Sequence, residues 1–440
     1  MEFRVNMDTT KILVAIWGNF SAWKDANYRY KNKIYTSSTT LPLLLDTIKP
    51  NYTYIILADT LMDKYDNIFT YQEGLARIKN EAGAFIKEKI RSYPTKLKEE
   101  NINILILPAV GTFSRSRFVG NPNNFYALVY FELARNILRS LGSKLAFSSL
   151  SEDGEHCLEF YLDITHGLNF MTMMTYRAVK DILQIIAYFC NVRLIVLNSD
   201  PLVGSGNIDL NINEIEKINV IPAFNFYRYS DTMLLIPSPS GHEGVNALTK
   251  RMDRLYAFCS AFLHGLPVYM YYFYEKPKED EIENIVKLFY DHIEVNVNGT
   301  FEVIQGLNFG ESFISLLQGF LLSNLLMVNA KDDGVVKMDD IERIKGIFKH
   351  SRTILQRLER ELGKIKRVRI GSEFKDYGFY AEANYSPNDN FDGRNFFAHC
   401  GFVHNLIELK REGNTIFIKP KQRFIEEIHE ALLESLPSGG

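Results

Sequence analysis

An arginine and a histidine that could act together on a phosphate lie near the C-terminus, in the segment DGRNFFAHCG at residues 392–401. Imidazole transfers protons near neutral pH, and guanidinium binds a phosphodiester and neutralises the charge that grows on it in the transition state. Arg394 and His399 therefore suit RNA cleavage that needs no metal ion. The segment is also typical of a helix start, with Asp392 as the N-cap.

The spacing of Arg394 and His399 limits what a single helix can do with them. Five residues at about 100° each place the two side chains roughly 140° apart around an ideal helix. Two copies of the motif that face each other would bring such groups together more easily than one copy. Because this spacing recurs by chance in many proteins, the alternative is a surface arginine beside a packed histidine.

A basic run precedes the motif, and the other histidines are less suggestive. Residues 342–369 contain ten lysines and arginines against three glutamates, which is typical of a solvated helix face and is also suited to a local grip on a phosphate backbone. His404 follows His399 by five residues, and we favour packing over a role in the site. The remaining histidines lack HExxH or paired Cys/His spacing, so no metal site is predicted.

Two loops in the first half of the chain are candidates for binding a ligand, and both follow apolar runs. Glycine in such a loop lets a ligand approach the backbone, side-chain oxygens and amides offer hydrogen bonds, and a helix start presents free N–H groups to an anion. These features suit nucleotide phosphates. The candidate binding residues are Trp17, Gly18, Asn19, Thr165, His166, Gly167 and Asn169.

Three further side chains bear on that ligand. Trp17 is expected to stack on a base, and Arg115 and Arg117 are expected to add phosphate contacts. The alternative for the second loop is an ordinary glycine-containing turn in which His166 is packed. No GxxxxGK[ST] loop is present, and the segment at 204–206 lacks the third glycine of a dinucleotide fingerprint, which argues against ATPase and NAD-binding functions.

The two loops belong to a repeated strand and helix pattern that runs from Lys11 to Ser199. Nearly continuous apolar strands separated by helices predict a Rossmann-like α/β domain, with a parallel sheet covered on both faces. Ligands bind such sheets outside the carboxyl ends of the strands. Strands are predicted at 12–17, 54–58, 102–107, 158–164 and 193–197, and helices at 41–47, 73–91, 124–141 and 170–188.

The second half of the chain is predicted to be mostly helical. Residues 201–244 hold glycines and prolines typical of a linker or hinge. Two hairpins are expected, one turning at Asn298-Gly299 and one at residues 412–414. Helices are predicted at 245–266, 279–291, 310–328 and 338–362.

The composition of the 440 residues, 46% apolar and 23% charged, predicts a globular protein of two or three domains. A net charge of −3 gives no long-range attraction for nucleic acid, so any RNA contact must come from a local patch. The four cysteines are far apart, and we expect them to be reduced. The charged residues at 1–11 are unlike a signal peptide, and stretches 257–274 and 312–330 are better core helices than membrane spans, so we expect a cytoplasmic protein.

The order of these features resembles the CARF-HEPN ribonucleases of type III CRISPR systems. The resemblance is carried by the Trp17-Gly18-Asn19 strand end, the segment DITHGLN at 163–169 and the arginine and histidine motif followed by Cys400-Gly401, and it spans nearly the whole chain. It implies a CARF-like sensing domain at 1–200, a linker at 201–244, and a mostly α-helical HEPN domain with small β-hairpin insertions at 245–440.

The resemblance also implies a function. The first domain is expected to bind a cyclic oligoadenylate, most simply cyclic tetra-adenylate, across a two-fold interface of a homodimer or higher oligomer. Binding is expected to activate a composite site that cuts single-stranded RNA without metal and leaves a 2′,3′-cyclic phosphate. Arg394 would bind the phosphate, His399 would transfer the proton, and Asn395 would support them.

Two alternatives stay open. One is a CARF-type regulator whose ligand controls contacts with DNA or protein rather than RNA cleavage, although the chain shows no convincing helix-turn-helix. The other is a nucleotide-dependent oxidoreductase, which lacks its glycine fingerprint. The resemblance assigns no role to the hairpin region at 293–304.

Overall fold

The first half of the chain folds as an α/β unit in the computed structural model, which describes residues 9–91, 101–141, 157–201, 208–238, 242–297, 299–326, 328, 334–387 and 390–439. Its strands are β1 (Thr10–Trp17), β2 (Ala26–Tyr30), β3 (Lys33–Ser37), β4 (Tyr52–Ala58), β5 (Ile102–Leu107), β6 (Gly111–Thr112), β7 (Ser116–Val119), β8 (Leu158–Asp163), β9 (Val192–Ser199) and β10 (Asp209–Asn219). Its helices are α1 (Leu41–Ile48), α2 (Tyr71–Arg91), α3 (Pro122–Leu141) and α4 (Asn169–Ile186).

An eight-stranded sheet in the order β3-β2-β10-β9-β8-β1-β4-β5 forms the centre of this half. Strands β9, β8, β1, β4 and β5 are parallel, which confirms the Rossmann-like prediction. The residues of β1 from Ile12 to Trp17 are at most 1% exposed, because helices cover both faces of the sheet. The chain runs outward from β1 to β5 and then returns to β8, so the carboxyl ends of β1 and β8 meet at the point where the strand order reverses.

Part of the predicted linker belongs to this sheet. Residues 209–219 form β10, which pairs antiparallel with β9 and, over three residues, parallel with β2. Leu210 and Ile212 are buried while their neighbours alternate outward, a period of two that the surrounding glycines and prolines concealed. The boundaries at 201 and 244 themselves stay predictions.

One expectation about the cysteines is wrong, because a disulfide joins Cys157 and Cys190. Cys157 directly precedes β8 and Cys190 lies just before β9. Since these strands are parallel neighbours, their starts lie side by side, with the Cys157 amide donating to the Asn191 carbonyl at 3.0 Å. Cys259 and Cys400 are free and buried.

The described part of the second half contains more helix than strand. Its helices are α5 (Glu243–His264), α6 (Pro267–Tyr272), α7 (Glu279–Asp291), α8 (Glu311–Leu326), α9 (Met338–Lys345), α10 (Arg352–Arg367), α11 (Tyr377–Ala381), α12 (Gly393–Ala398) and α13 (Ile425–Glu434). Its strands are β11 (Leu235–Ile236), β12 (Ile293–Asn296), β13 (Phe301–Gln305), β14 (Asn308–Phe309), β15 (Val336–Lys337), β16 (Lys375–Asp376), β17 (Ile407–Glu412) and β18 (Thr415–Pro420).

The strand pairs of both predicted hairpins are present, β12 with β13 and β17 with β18. Asn298 of the first predicted turn lies outside the described residues. The single helix predicted over 338–362 is wrong. The chain instead forms α9, a 3-10 turn at Gly346–His350, and then α10. The turn buries Ile347 and Phe348 to 1% exposure each, which places two consecutive side chains in the core as one straight amphipathic helix does not.

The two uncharged stretches are core helices, as expected. The first is divided because α5 ends at Gly265, which has a φ of +66°, and Pro267 then starts α6. The second is α8, a helix of 16 residues. Within the described ranges, no helix combines the length and the apolar character needed to cross a bilayer.

The hairpin of β12 and β13 connects the two halves of the chain. Strand β13 pairs in parallel with β7, and the sheet has the order β12-β13-β7-β6. Beside it, the buried Asn124 donates from Nδ2 to Gln305 Oε1 at 2.7 Å and to Asn308 Oδ1 at 3.0 Å. Its Oδ1 accepts the Phe309 amide at 2.9 Å, so one buried amide side chain joins β13 and β14 to α3.

Candidate functional site

The two glycine-containing loops meet at the carboxyl ends of β1 and β8. The Gly18 amide donates to the His166 carbonyl at 2.9 Å. A Cβ added to Gly18 would lie 2.6 Å from Leu168 Cγ, and one added to Gly167 would lie 2.3 Å from Thr172 Oγ1. A side chain at Gly18 would therefore displace Leu168 of the second loop, and one at Gly167 would displace Thr172 of α4, which is a different reason for glycine from the close ligand approach that the sequence indicated.

A cavity of about 570 Å³, which we call the Trp23 pocket, opens beside the second loop, residues 164–168. The ring of His166 stacks on the indole of Trp23, with centroids 4.0 Å apart and planes 24° apart. Ser38 also lines the cavity, and its buried hydroxyl has no hydrogen-bond partner among the described residues. The lining consists of Ala22, Trp23, Lys24, Tyr28, Ser38, Thr165, His166, Asn198, Ser199, Asp200, Pro201 and Leu210.

His166 lines this pocket, and the buried Asp163 lies three residues before it at the end of β8. Asp163 is 1% exposed, and it accepts hydrogen bonds from Thr40 Oγ1 at 2.5 Å and from the Thr165 amide at 3.0 Å. Burial lowers the pKa of His166 to about 4, against the opposing effect of the Asp163 charge. His166 is therefore neutral at pH 7, and its Nε2 accepts the Thr40 amide at 3.4 Å. Thr165 Oγ1 accepts the Ser199 amide at 3.0 Å, which fixes the end of β8 to the end of β9.

The expected stacking role of Trp17 is wrong in this conformation. Its indole is 0% exposed and packs edge-on against Trp23 and Phe85, with centroids 5.3 and 5.8 Å away. The 3-10 turn at Phe20–Ala22 folds the chain back, so Trp23 lines the pocket instead. A second tryptophan six residues after the first was the available signal. Asn19 is exposed before this turn.

The other predicted ligand residues have different outcomes. Helix α4 begins at Asn169, whose side chain lies outside the described part of the chain. Arg115 and Arg117 are not among the residues that line the Trp23 pocket. Arg115 is 3.5 Å from Asp66 and lines a separate cavity of about 380 Å³ beside the β13 hairpin, while Arg117 lies 4.0 Å from Glu302.

The arginine and histidine motif occupies α12, and the predicted N-cap is confirmed. Asp392 accepts the Asn395 amide at 3.2 Å and the Asn395 Nδ2 at 2.8 Å. Arg394 is exposed in the first turn, and its guanidinium has no hydrogen-bond or salt-bridge partner among the residues that the structure describes. His399 follows the last turn, and its side chain is 36% exposed. Both groups are therefore open to a ligand, while Asn395 is partly used in holding its own helix start.

A buried glutamate that the sequence did not single out lies behind His399. Glu361 is 2% exposed and accepts from His399 Nδ1 at 3.1 Å, from Arg360 Nε at 2.8 Å and from Lys364 Nζ at 2.9 Å. Burial favours a higher pKa for Glu361, but the hydrogen bonds from Lys364, His399 and Arg360 outweigh it and lower the pKa. The carboxylate is ionised at neutral pH.

The basic run has a structural role that neither interpretation of the sequence included. Arg357 Nη1 donates to the Phe397 carbonyl at 3.0 Å, and Arg360 Nη2 donates to the Ala398 carbonyl at 3.4 Å. These carbonyls lie at the end of α12, where cations also interact favourably with the helix dipole. Helix α10 thereby fixes the backbone directly before His399.

His404 packs, as favoured, with its ring edge-on to Tyr377 at a centroid distance of 4.7 Å and its Nδ1 bonded to Glu382. Across the described ranges, no cluster of three or more His, Cys, Asp or Glu side chains is arranged to hold a metal ion.

Comparisons with known proteins place both sites in recognised domains. The family described as "CRISPR system endoribonuclease Csx1, CARF domain" matches residues 12–201, and "CRISPR system endoribonuclease Csx1, HEPN domain" matches residues 351–422. The first range contains every residue that lines the Trp23 pocket except Leu210, and the second contains Glu361, Arg394 and His399.

One curated protein is similar along most of the chain. The "CRISPR system endoribonuclease Csx1" of Methanocaldococcus jannaschii is 27% identical over 429 residues, which are 91% of this chain and 86% of that protein. The alignment with the solved structure "Enterococcus italicus Csm6 bound to cyclic hexa-2′-fluoro-hexa-dAMP" covers 82% of this chain and 85% of that chain, at 12% identity and a TM-score of 0.24. The two matched domains, in this order, and the curated relative show that the chain belongs to the CARF-HEPN family of CRISPR ribonucleases.

Proposed function

We propose that this chain is an endoribonuclease that cuts single-stranded RNA without a metal ion once its first half has bound a cyclic oligoadenylate, most simply cyclic tetra-adenylate. The observation that carries the proposal is the exposed Arg394 in the first turn of α12 and the partly exposed His399 directly after its last turn, where arginines of α10 bind the preceding carbonyls. Membership of a family of CRISPR ribonucleases supports the same conclusion.

The proposed reaction is a transesterification within the RNA. The 2′-oxygen attacks the adjacent phosphorus, the bond from phosphorus to the 5′-oxygen breaks, and the products are a 2′,3′-cyclic phosphate and a free 5′-hydroxyl. A base takes the proton of the 2′-hydroxyl and an acid gives a proton to the leaving 5′-oxygen. His399 is suited to either role, and Arg394 to binding the phosphate oxygens as their charge grows. Asn395 supports the start of α12.

Two copies of the chain would supply both halves of this chemistry. In a two-fold dimer, His399 of one copy serves as the base while His399 of the other serves as the acid. A cyclic oligoadenylate of even size has the same symmetry, and a symmetric pair of pockets of about 570 Å³ would share the ring. The neutral His166 stacked on Trp23 offers a face for adenine.

The proposed division of labour follows the order of the two domains. Residues 1–200, together with strand β10, form the ligand-sensing domain, and residues 245–440 form the ribonuclease domain. The rest of 201–244 connects them. We further propose that the protein acts in the cytoplasm as a homodimer or higher oligomer.

The test is cleavage of a labelled single-stranded RNA by the full-length protein in EDTA, with and without cyclic tetra-adenylate, followed by identification of the product ends. The proposal expects cutting that depends on the activator and leaves 2′,3′-cyclic phosphate and 5′-hydroxyl ends. If the protein binds cyclic tetra-adenylate but cuts no RNA, the result would instead support the alternative, a ligand-responsive regulator without nuclease activity. Cutting that ignores every cyclic oligoadenylate would contradict the proposed activator.

A further inference from the structure

Glu361 is buried behind the candidate catalytic histidine, and its position has a cost that must be offset. A carboxylate removed from water is strongly unfavourable unless it is paired and hydrogen-bonded. Three side chains donate to Glu361, namely Arg360, Lys364 and His399, at distances between 2.8 and 3.1 Å. Arg360 and Lys364 are cationic and lie on α10 together with Glu361. Their positive charges balance the carboxylate, so its charge balance does not depend on His399.

The geometry decides which nitrogen of His399 carries a proton. An ionised carboxylate has only acceptor sites, so the Nδ1 that lies 3.1 Å from Glu361 Oε1 must be the donor. The lone pair of the neutral ring is then on Nε2. That nitrogen has no hydrogen-bond partner among the described residues, and the side chain is 36% exposed, so a substrate can reach it.

The other titratable groups around Glu361, Tyr377 and Cys400, do not lose their protons at neutral pH. Burial and the Glu361 charge raise the pKa of Tyr377 to about 12. Burial raises the pKa of Cys400 to about 11. Arg360 and Lys364 donate to Glu361, and their side chains are 55% and 45% exposed, so they lie between Glu361 and the solvent.

We propose that Glu361 is a positioning residue, which holds His399 as the Nδ1–H tautomer and so directs Nε2 at the RNA. Arg360 links the two parts of this device, because it donates to Glu361 and to the Ala398 carbonyl directly before His399. The inference rests on the proposed ribonuclease function for its consequence, since the tautomer matters only if His399 transfers a proton. The tautomer itself is a property of the protein without RNA.

The decisive variant is Glu361→Gln, which keeps the shape and removes the charge. An amide can donate as well as accept, so it no longer selects the Nδ1–H form. With cyclic tetra-adenylate present, we expect kcat for RNA cleavage to fall by about 10²-fold or more while KM stays within about two-fold, as for loss of a proton-transfer contribution. The matched control is Glu359→Gln on the same helix, since Glu359 is 53% exposed and its carboxylate lies 3.8 Å from Lys345 Nζ.

A spectroscopic readout separates this role from simple support of the fold. Nitrogen chemical shifts of histidine-labelled protein, with His399 assigned by its loss in His399→Ala, should show a protonated Nδ1 and an unprotonated Nε2 in the wild type and in Glu359→Gln. Glu361→Gln should show a mixture. A proton on Nε2 in the wild type would overturn the proposal, and so would an unchanged kcat in a folded Glu361→Gln. If the wild type cuts no RNA, the proposed function fails, while the nitrogen shifts still decide the role of Glu361.

Discussion

At the scale of single residues, the two tryptophans near the first loop have different roles. Trp17 has the position that the sequence favours, at the end of β1, but a fully buried indole cannot reach a ligand. Trp23 lies beyond a short turn and stacks on a histidine that burial keeps neutral. The ligand face of this pocket is therefore aromatic and uncharged where Trp23 and His166 meet.

We predict that Trp23→Ala weakens binding of cyclic tetra-adenylate. Stacking of a base on an aromatic side chain contributes about 1–3 kcal/mol, which corresponds to a loss of affinity between roughly five-fold and 150-fold. Calorimetric titration of the full-length protein measures this change. Phe69→Ala is the control, because Phe69 is 67% exposed and lies outside the pocket. Equal affinities for Trp23→Ala and the wild type would remove the stack from the binding site.

His166 gives a prediction about pH. Its folded-state pKa of about 4 lies below its ordinary value of 6.5 because of burial, so the unfolded chain binds more protons between these values. The free energy of unfolding therefore falls as the pH is lowered from 6.5 towards 4. Denaturant titrations at several pH values should show a steeper fall for the wild type than for His166→Gln. Parallel curves would mean that His166 is not desolvated.

At the scale of elements, the sequence predicts regular pieces well and their mutual placement poorly. The parallel strands follow from apolar runs, and the start of α12 follows from Asp392, because both signals are local. The break between α9 and α10 and the burial of Glu361 depend on which face meets the rest of the protein. No local signal marks a glutamate in a basic run as the partner of a histidine 38 residues away.

The turn after α12 begins directly behind His399, and a methyl group added at Gly401 tests its contribution to stability. Gly401 has a φ of +79°, and a Cβ there would lie 2.5 Å from Tyr269 Cε2. Gly401→Ala should lower the free energy of unfolding by about 1–2 kcal/mol or more, because the left-handed conformation costs an L-residue that much before any clash. Gly363→Ala is the control, since Gly363 lies inside α10 with open space where the Cβ would be. Denaturant titration should show Gly363→Ala unchanged or more stable by up to about 1 kcal/mol, and an equally stable Gly401→Ala would contradict the account.

At the scale of the whole molecule, the hairpin to which the sequence assigns no role lies between the two halves. Strand β13 extends a sheet that begins with β6 and β7, and the amide of Asn124 joins α3 to the chain around β14. Gln305 also donates to the Ala109 carbonyl at 3.3 Å, just after β5. The carboxyl edge of the first sheet is thus in direct contact with the segment that leads into α8.

We predict that Asn124→Ala destabilises this junction. The substitution leaves the Gln305 and Asn308 oxygens and the Phe309 amide without their partner, and a buried unpaired polar group costs about 1–3 kcal/mol. Thermal unfolding should move to lower temperature and separate into two transitions if the junction couples the halves. Asn123→Ala, at an exposed neighbouring position, should behave as the wild type. An unchanged single transition for Asn124→Ala would show that the junction is not needed for cooperative unfolding.

The central claim is that His399 transfers the proton in activator-dependent RNA cleavage, and one comparison tests it most directly. Cleavage of labelled single-stranded RNA is measured in EDTA with cyclic tetra-adenylate for the wild type and His399→Ala, with activator binding measured in parallel. We expect the variant to bind the activator normally and to cut roughly 10²- to 10⁴-fold more slowly, the usual contribution of a general acid or base. Near-normal cutting by His399→Ala would contradict the account.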